Sequence, residues 1–203
     1  STDEVFGALG VFDMPFNEDS QYCPNNPYAA SKASAEMFCR SFSKTHELPI
    51  VVVNSSNNYG PYQNQEKLIP KVITKAVSGQ DIPIYGDGSN IRDWIFVSDN
   101  CDAIYKICKQ GRVGEKYNVG GGENITNRNL VQKICELLEK YRPKSSGAYS
   151  EQISFEIDRK GHDFKYQLNC SKIKRELNWS PSVCLEEGLS KTIEWYLQNP
   201  LKD

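Results

Sequence analysis

Histidine is scarce in this chain. Among 203 residues only His46 and His162 occur, and neither has zinc-ligand spacing to a cysteine pair. The seven cysteines (Cys23, Cys39, Cys101, Cys108, Cys135, Cys170 and Cys184) form an odd set without any Cys-x-x-Cys, which argues against both a metal knuckle and a disulfide framework. Cys39, Cys101, Cys108, Cys135 and Cys184 fall in helical patterns, so they are expected to pack as small reduced hydrophobes. A surplus of either charge is also lacking. The count of 24 Lys+Arg against 26 Asp+Glu leaves a formal net charge of -2, with no basic excess for a phosphate backbone or an anionic bilayer. There is no apolar run of about 18 residues, and the opening Ser-Thr-Asp-Glu-Val has neither the basic start nor the apolar stretch of a secretion signal. Nucleic-acid and membrane partners are therefore not expected, and the chain reads as cytoplasmic. What is present, 38% hydrophobic and 25% charged residues, is the balance of an ordinary globular protein.

Apolar periodicity alternates between helical and strand spacing. Ala29, Ala33, Met37, Phe38 and Phe42 recur at three- and four-residue intervals and predict a helix over 27–45, with those residues facing the core. The β-branched run 49–54 predicts a strand buried on both faces of a parallel sheet. Further helices are expected over 68–77, from a cap at Ser98, and from Thr126 or Asn127 to Tyr141. Two more are expected over 171–177 and 185–197, the latter docked by Ile193, Trp195 and Tyr196. Strands are expected over 83–85, 94–97, 115–119 and 153–157, and a surface loop over 144–150. A helix feeding directly into a buried strand marks the α/β class. The acidic opening has no element before it to pack against, so an N-terminal portion is expected outside these residues.

Two pairs carry chemistry. Tyr28 and Lys32, in Tyr-Ala-Ala-Ser-Lys, share a helix face one turn apart. An ammonium beside a phenol of pKa about 10 favours the phenolate, which makes a base for an alcohol proton. The plainer reading is an exposed aromatic beside a solvated lysine. Asp3 and Glu4, behind the hydroxyl of Thr2, can act as acid and base if their surroundings split their pKa values; the plainer reading is a solvated acidic turn. Arg92 next to Asp93 reads as a local ion pair, Gly120-Gly121-Gly122 as a turn, and His162 as a surface hydrogen-bonder.

Taken in order, Thr2-Asp3-Glu4, Tyr28-x-x-x-Lys32, Ser56-Asn57-Asn58-Tyr59-Gly60-Pro61, Glu66-Lys67-Leu68-Ile69-Pro70, Pro83-Ile84-Tyr85-Gly86-Asp87-Gly88, Ile91-Arg92-Asp93-Trp94, Tyr117-Asn118-Val119-Gly120-Gly121 and Asp158-Arg159-Lys160-Gly161-His162-Asp163 resemble the extended short-chain dehydrogenase/reductases that modify nucleotide-sugars. Within that family the chain is most similar to the dTDP-glucose 4,6-dehydratase branch, over nearly its whole length. The resemblance implies the C-terminal part of a Rossmann-type doubly wound parallel sheet (residues 1–60, with a segment at about 90–120 returning to it) and a smaller α/β substrate-binding lobe (mainly 61–203). It implies NAD as cofactor, dTDP-glucose as substrate and a homodimer built on the Tyr28 helix. It also implies roles. Tyr28 with Lys32 takes the carbon-4 hydroxyl proton, Thr2 donates to the carbon-4 oxygen, Glu4 removes the carbon-5 proton and Asp3 protonates the leaving hydroxyl. Tyr28, Lys32 and Asn58 face the cofactor. Thr2, Asn57, Lys67, Leu68, Pro83, Ile84, Tyr85, Arg92, Asn127, Arg159 and His162 surround the nucleotide-sugar. A sister dehydratase of the superfamily, a non-catalytic nucleotide-sugar-binding module and a purely structural partner are the competing readings.

The chain departs from the family pattern in three places. Phe6 replaces a tyrosine and Lys160 a proline. The Gly-x-x-Gly-x-x-Gly loop that seats a dinucleotide pyrophosphate on a helix N-terminus is absent from the 203 residues, and the triplet at Gly120 follows a late strand with the wrong spacing. Half of a Rossmann sheet, roughly 100 residues or more, is therefore expected outside this chain, which alone is expected to be inactive.

Overall fold

The computed structural model describes residues 1–199. A 3-10 turn, Asp3–Phe6, is capped by the Thr2 hydroxyl, which accepts from the Glu4 amide. Helix α1, Pro27–His46, begins with Asn26 as its cap and proline at its first position, where a missing N–H costs nothing. There follow β1 (Val52–Ser55), β2 (Asn57–Tyr59), α2 (Leu68–Val77), β3 (Ile82–Tyr85), β4 (Ile91–Phe96), α3 (Val97–Gln110), β5 (Lys116–Val119), β6 (Asn124–Thr126), α4 (Asn127–Tyr141), β7 (Ile153–Glu156), α5 (Ser171–Leu177) and α6 (Leu185–Gln198). The α/β class expected from periodicity is the one observed.

β1 pairs with β5 in parallel, with Asn54 opposite Asn118. At Ser56, whose amide still donates to Val119 O, the chain leaves β5, and β2 then runs parallel to β4 with Asn57 opposite Trp94. β6 adds antiparallel to the other edge of β4, and β3 pairs with β7 in parallel as a separate two-stranded sheet. The step from β1 to β2 is thus a switch between two sheets, the kind of place where open α/β folds leave a crevice. The larger core joins Tyr59, Ile69, Ile73, Ile82, Leu130, Ile134, Leu138 and Leu189 on β2, α2, β3, α4 and α6. A second core joins Ile95, Ala103, Ile107, Tyr117, Val119 and Ile173 around β5, α3 and α5.

Several expectations need correction. The strand after α1 is shorter than 49–54, and Val51, Val52 and Val53 are only half-buried. Here β1 has one ladder partner, β5, and beyond that a single bridge to Thr2. Met37, Phe38 and Phe42 are 56%, 64% and 48% exposed; α1 packs inward through Ala29, Ala33 and Glu36 at i, i+4, i+7 spacing, and the two small alanines let it lie close to the protein interior. Cys101, Cys108 and Cys184 are exposed, Cys39 is half-buried and Cys135 alone of the five is buried, because helical spacing carries a cysteine to either face. α3 starts at Val97 behind Phe96 without a side-chain cap, so Ser98 lies inside the first turn. The 144–150 loop ends in a 3-10 turn, Tyr149–Gln152, whose Tyr149 is buried with its hydroxyl on Arg142 O at 2.8 Å. Among the described residues no helix is long and apolar enough to cross a membrane.

Phe6 in place of tyrosine is explained by its surroundings. It is buried between Phe16 and Tyr22, with ring centroids 5.4 and 5.9 Å away and Lys116 Nζ 5.6 Å from its own centroid, contacts that a bare ring satisfies without a hydroxyl.

Candidate active site

The switch between β1 and β2 opens onto a cleft of about 790 Å³. Its walls bring together Thr2, Asp3, Glu4, Tyr28, Asn57, Asn58, Lys67, Leu68, Pro83, Ile84, Tyr85, Arg92, Asn127, Arg159 and His162, residues drawn from most of the chain. Of the residues that the resemblance assigns to the site, Lys32 alone is not on the lining. It is half-buried one turn along the Tyr28 face.

The two carboxyls are held differently. Asp3 is 2% exposed; its Oδ1 accepts from Thr2 Oγ1 at 3.1 Å and its Oδ2 has no partner. Burial raises its pKa to about 7, with the Thr2 hydroxyl opposing and the Glu4 carboxylate adding. An orphaned, desolvated carboxyl oxygen of this kind suits a protonated acid. Glu4 is half-buried and accepts from Asn26 Nδ2 at 3.2 Å. The residue that caps α1 therefore also orients Glu4. An Asn-Pro pair before a helical pattern signals the cap, but no local signal points to the contact with Glu4.

Tyr28 is 55% exposed with its pKa raised, first by burial of the phenol and then by the Glu4 and Asp3 carboxylates, against the Thr2 hydroxyl. The phenolate expected from pairing with Lys32 is thus not favoured by these residues alone, because burial of the phenol and the acidic groups of Glu4 and Asp3 beside it all resist its charge.

Arg92 does not pair with Asp93. Side chains alternate along β4, so the two point to opposite faces. Arg92 is buried on the cleft side, its guanidinium donating to Ile91 O at 2.8 Å, Phe164 O at 3.3 Å and Asp163 O at 2.9 Å and lying 4.3 Å over the Tyr166 ring. Asp93 is buried on the other face beneath the Gly120–Gly122 loop with neither carboxyl oxygen in a well-formed hydrogen bond, and burial lifts its pKa to about 6 although the nearby loop amides favour the charge. That packing gives the triplet its purpose: a Cβ on Gly120 would stand 2.2 Å from Asp93 Oδ2 and one on Gly121 1.9 Å from Trp94 O. The loop covers β4 and leaves no room for a pyrophosphate.

His162 is more than a surface group. Arg159 Nη2 lies 3.1 Å from His162 Nε2, and His162 Nδ1 lies 2.7 Å from Asp158 Oδ1. A guanidinium only donates, so Nε2 accepts and Nδ1 carries the proton to Asp158. Burial lowers the imidazole's pKa in keeping with this neutral form, although Asp158 pulls the other way. His162 thereby aims Arg159, which sits 5.1 Å over the Tyr85 ring.

The sequence reading missed Ser56, Gln63, Glu66, Lys71, Trp94 and Tyr166, all on the lining. Lys71 lies one helical turn past Lys67 and was legible as its neighbour; Tyr166 and Gln63 reach the cleft through loops, which have no periodicity to read. Six buried atoms on lining residues, Asp3 Oδ2, Ser56 Oγ, Asn57 Oδ1, Gln63 Oε1, Trp94 Nε1 and Asn127 Oδ1, lack any hydrogen-bond partner. Buried polar atoms are normally satisfied, so orphans that are mainly acceptors fit a ligand rich in hydroxyl and amide donors. Lys67, Lys71, Arg92, Arg159 and Lys160 line the same cleft and fit its anionic part.

These groups also fix a pH dependence. The folded pKa values of Asp3 (about 7) and Asp93 (about 6) lie above the ordinary aspartate value. Between that value and about 7 the folded state binds more protons than the unfolded one, so stability from both groups falls as pH rises through this window and levels off above it. His162, with its lowered pKa, acts in the opposite sense. The difference between the unmutated chain and Asp3→Asn isolates Asp3: the melting temperature of the variant should gain on the parent from pH 5 to pH 8. A constant difference would show that Asp3 titrates normally.

Parallel α/β pairing with a hydroxyl, a phenol and two carboxyls gathered where β1 gives way to β2 places the chain in the Rossmann class. A family model described as GDP-mannose 4,6 dehydratase matches residues 1–192, and the chain belongs to that family. Over 200 residues it is 50% identical to a protein of Xanthomonas campestris pv. campestris named dTDP-glucose 4,6-dehydratase, covering 98% of this chain and 57% of that one. A dTDP-glucose 4,6-dehydratase of Bacillus anthracis solved in complex with NAD matches at 45% identity and a TM-score of 0.89, over 98% of this chain and 60% of that one. The enzyme of the same name from Streptomyces venezuelae, solved with NAD bound, matches at 40% identity and a TM-score of 0.91, over 98% and 58%. The chain thus spans less than two thirds of the length of these relatives.

Proposed function

We propose that the polypeptide carrying these residues converts dTDP-glucose to dTDP-4-keto-6-deoxyglucose with bound NAD. The observation that carries this reading is the carboxyl pair: Asp3 buried, orphaned at Oδ2 and raised to about 7, next to a more open Glu4, with Thr2 and Tyr28 in the same cleft. Water elimination needs an acid beside a base, whereas a change of configuration at one carbon does not. The names of the relatives support the same substrate and reaction.

In this reading Tyr28, with Lys32, receives the carbon-4 hydroxyl proton, and Thr2 Oγ1 donates to the oxygen as it becomes a carbonyl. Glu4 then removes the acidified proton on carbon 5, and Asp3 delivers its proton to the departing carbon-6 hydroxyl. Arg92, Arg159, Lys67 and Lys71 hold the diphosphate; Asn57, Asn127 and Gln63 accept from hydroxyl and base donors. Bound NAD would supply the hydride chemistry, an acceptor for carbon 4 and a donor for carbon 6. Tyr28, Lys32 and Asn58 would hold its nicotinamide end, while its pyrophosphate needs a glycine loop that these 203 residues do not contain. We assign residues 1–60 and the segment near 90–120 to the dinucleotide-binding half, supported by the β1–β5 pairing, and the remainder to the sugar-binding lobe. The outward Met37, Phe38 and Phe42 fit a homodimer through α1, and the composition fits the cytoplasm.

The test is incubation of the full gene-encoded polypeptide with NAD and dTDP-glucose, read by mass spectrometry. A product lighter by one water is expected, with no net NADH. Binding of dTDP-glucose without water loss would leave a nucleotide-sugar-binding module in its place, and a UDP-sugar turned over in preference would make the protein a sister dehydratase.

A further inference from the structure

Glu36 lies one turn beyond Lys32 on the face of α1 that carries Tyr28, and it is 5% exposed. A carboxyl is seldom this buried unless it is paired. Its Oε1 accepts from Asn54 Nδ2 at 2.7 Å, and its Oε2 accepts from the Tyr22 hydroxyl, which in turn takes a bond from Lys116 Nζ at 3.3 Å. Asn54, in β1, is wholly buried, and the same Nδ2 donates to Thr2 O at 3.2 Å. Its Oδ1 has no partner. The amide orientation therefore rests on the Nδ2 bonds, and a flip would set Oδ1 against the Glu36 carboxylate. Neither Glu36 nor Asn54 lines the cleft. Together they link the helix bearing Tyr28 to the backbone that opens the Thr2–Asp3–Glu4 turn.

We infer that Glu36 is a positioning residue that acts through Asn54 to set the Thr2–Asp3–Glu4 turn against Tyr28. The inference rests on the dehydratase reading above for its kinetic consequence, and on the Glu36–Asn54–Thr2 geometry for the rest. Reacting groups must be held to within a fraction of an ångström, and a displacement of about 1 Å can cost about 10²-fold in rate.

In the full-length enzyme with NAD and dTDP-glucose, Glu36→Ala is expected to lower kcat by about 10²-fold with KM little changed. Glu36→Gln, which keeps an oxygen for Asn54 to donate to, restores most of that rate. Tyr22→Phe breaks the other Glu36 bond and lowers the melting temperature, yet leaves kcat near the unmutated value. If Glu36→Ala does not fold, Asn54→Ala severs the same link and is expected to give the same split. Unchanged kcat in a folded Glu36→Ala or Asn54→Ala enzyme overturns the inference, as does an equal loss of kcat in Tyr22→Phe. If the unmutated enzyme makes no product, the dehydratase reading fails, and carboxyl carbon NMR of Asp3 still decides the positioning role. The titration midpoint, about 7 in the unmutated chain, is expected to fall toward the ordinary carboxylate range in Glu36→Ala as the turn opens to water, and to stay in Tyr22→Phe. A midpoint that does not move in Glu36→Ala counts against the inference whatever the activity.

Discussion

Glu4→Gln and Asp3→Asn are each expected to lower dehydration turnover by about 10²- to 10⁴-fold, the range over which one positioned acid or base acts. Neither should change nucleotide-sugar affinity by more than a few-fold, because the cations that would hold the diphosphate lie elsewhere on the cleft wall. The two variants should nevertheless differ. Asn at position 3 keeps the buried shape and removes a group that resists ionisation, so at pH 8 that variant should be more stable than the parent while being far less active. Gln at position 4 keeps the Asn26 contact through its amide oxygen and should leave stability nearly unchanged. Product formation by mass spectrometry and thermal melts at pH 8 check both. Full dehydration by either variant would remove the carboxyl pair from the mechanism, and a loss of stability in Asp3→Asn at pH 8 would contradict a raised Asp3.

Gly121→Ala is expected to be the most damaging of the small substitutions. Its Cβ would stand 1.9 Å from Trp94 O and 2.8 Å from Trp94 C, both main-chain atoms of β4 that cannot rotate away. Relief requires the loop after β5 to lift from β4. Overpacking of this kind costs about 3 kcal/mol or more, which for a chain of this size lowers the melting temperature by roughly 6–12 °C. Gly10→Ala is the control, since its Cβ would meet only the Asp13 carboxyl at 3.2 Å; its melt should lie within about 2 °C of the parent, as for most surface changes. Because β4 carries Arg92 and Trp94 on the cleft wall, Gly121→Ala should also weaken dTDP-glucose binding. Equal melts for the two variants would mean that the loop is not packed as observed.

Local information carried this far because the motifs are short and lie on regular elements. The 3.6-residue period of Leu130, Ile134 and Leu138 and the Asn-Pro start of α1 depend only on neighbours in the chain, and both appear where they were expected, while the β-branched run before Asn54 gives a strand that is shorter and less buried than expected. The amino-acid sequence by itself determined the α/β class and, through motifs in a family's order, pointed to more than half of the residues that line the cleft.

Other features were settled only by long-range packing. Whether Met37, Phe38 and Phe42 face inward depends on which side of α1 meets the sheet, and the small Ala29 and Ala33 won that side. Whether Arg92 and Asp93 pair depends on the pleat of β4, which sends them to opposite faces. Asp3 is set apart from Glu4 chiefly by its burial, a property of what folds over it. The joining of Glu36, Asn54 and Thr2 spans three elements, and no spacing along the chain encodes it. Sequence periodicity records the faces an element offers, and only the folded chain decides which partner each face meets and how much water is left there.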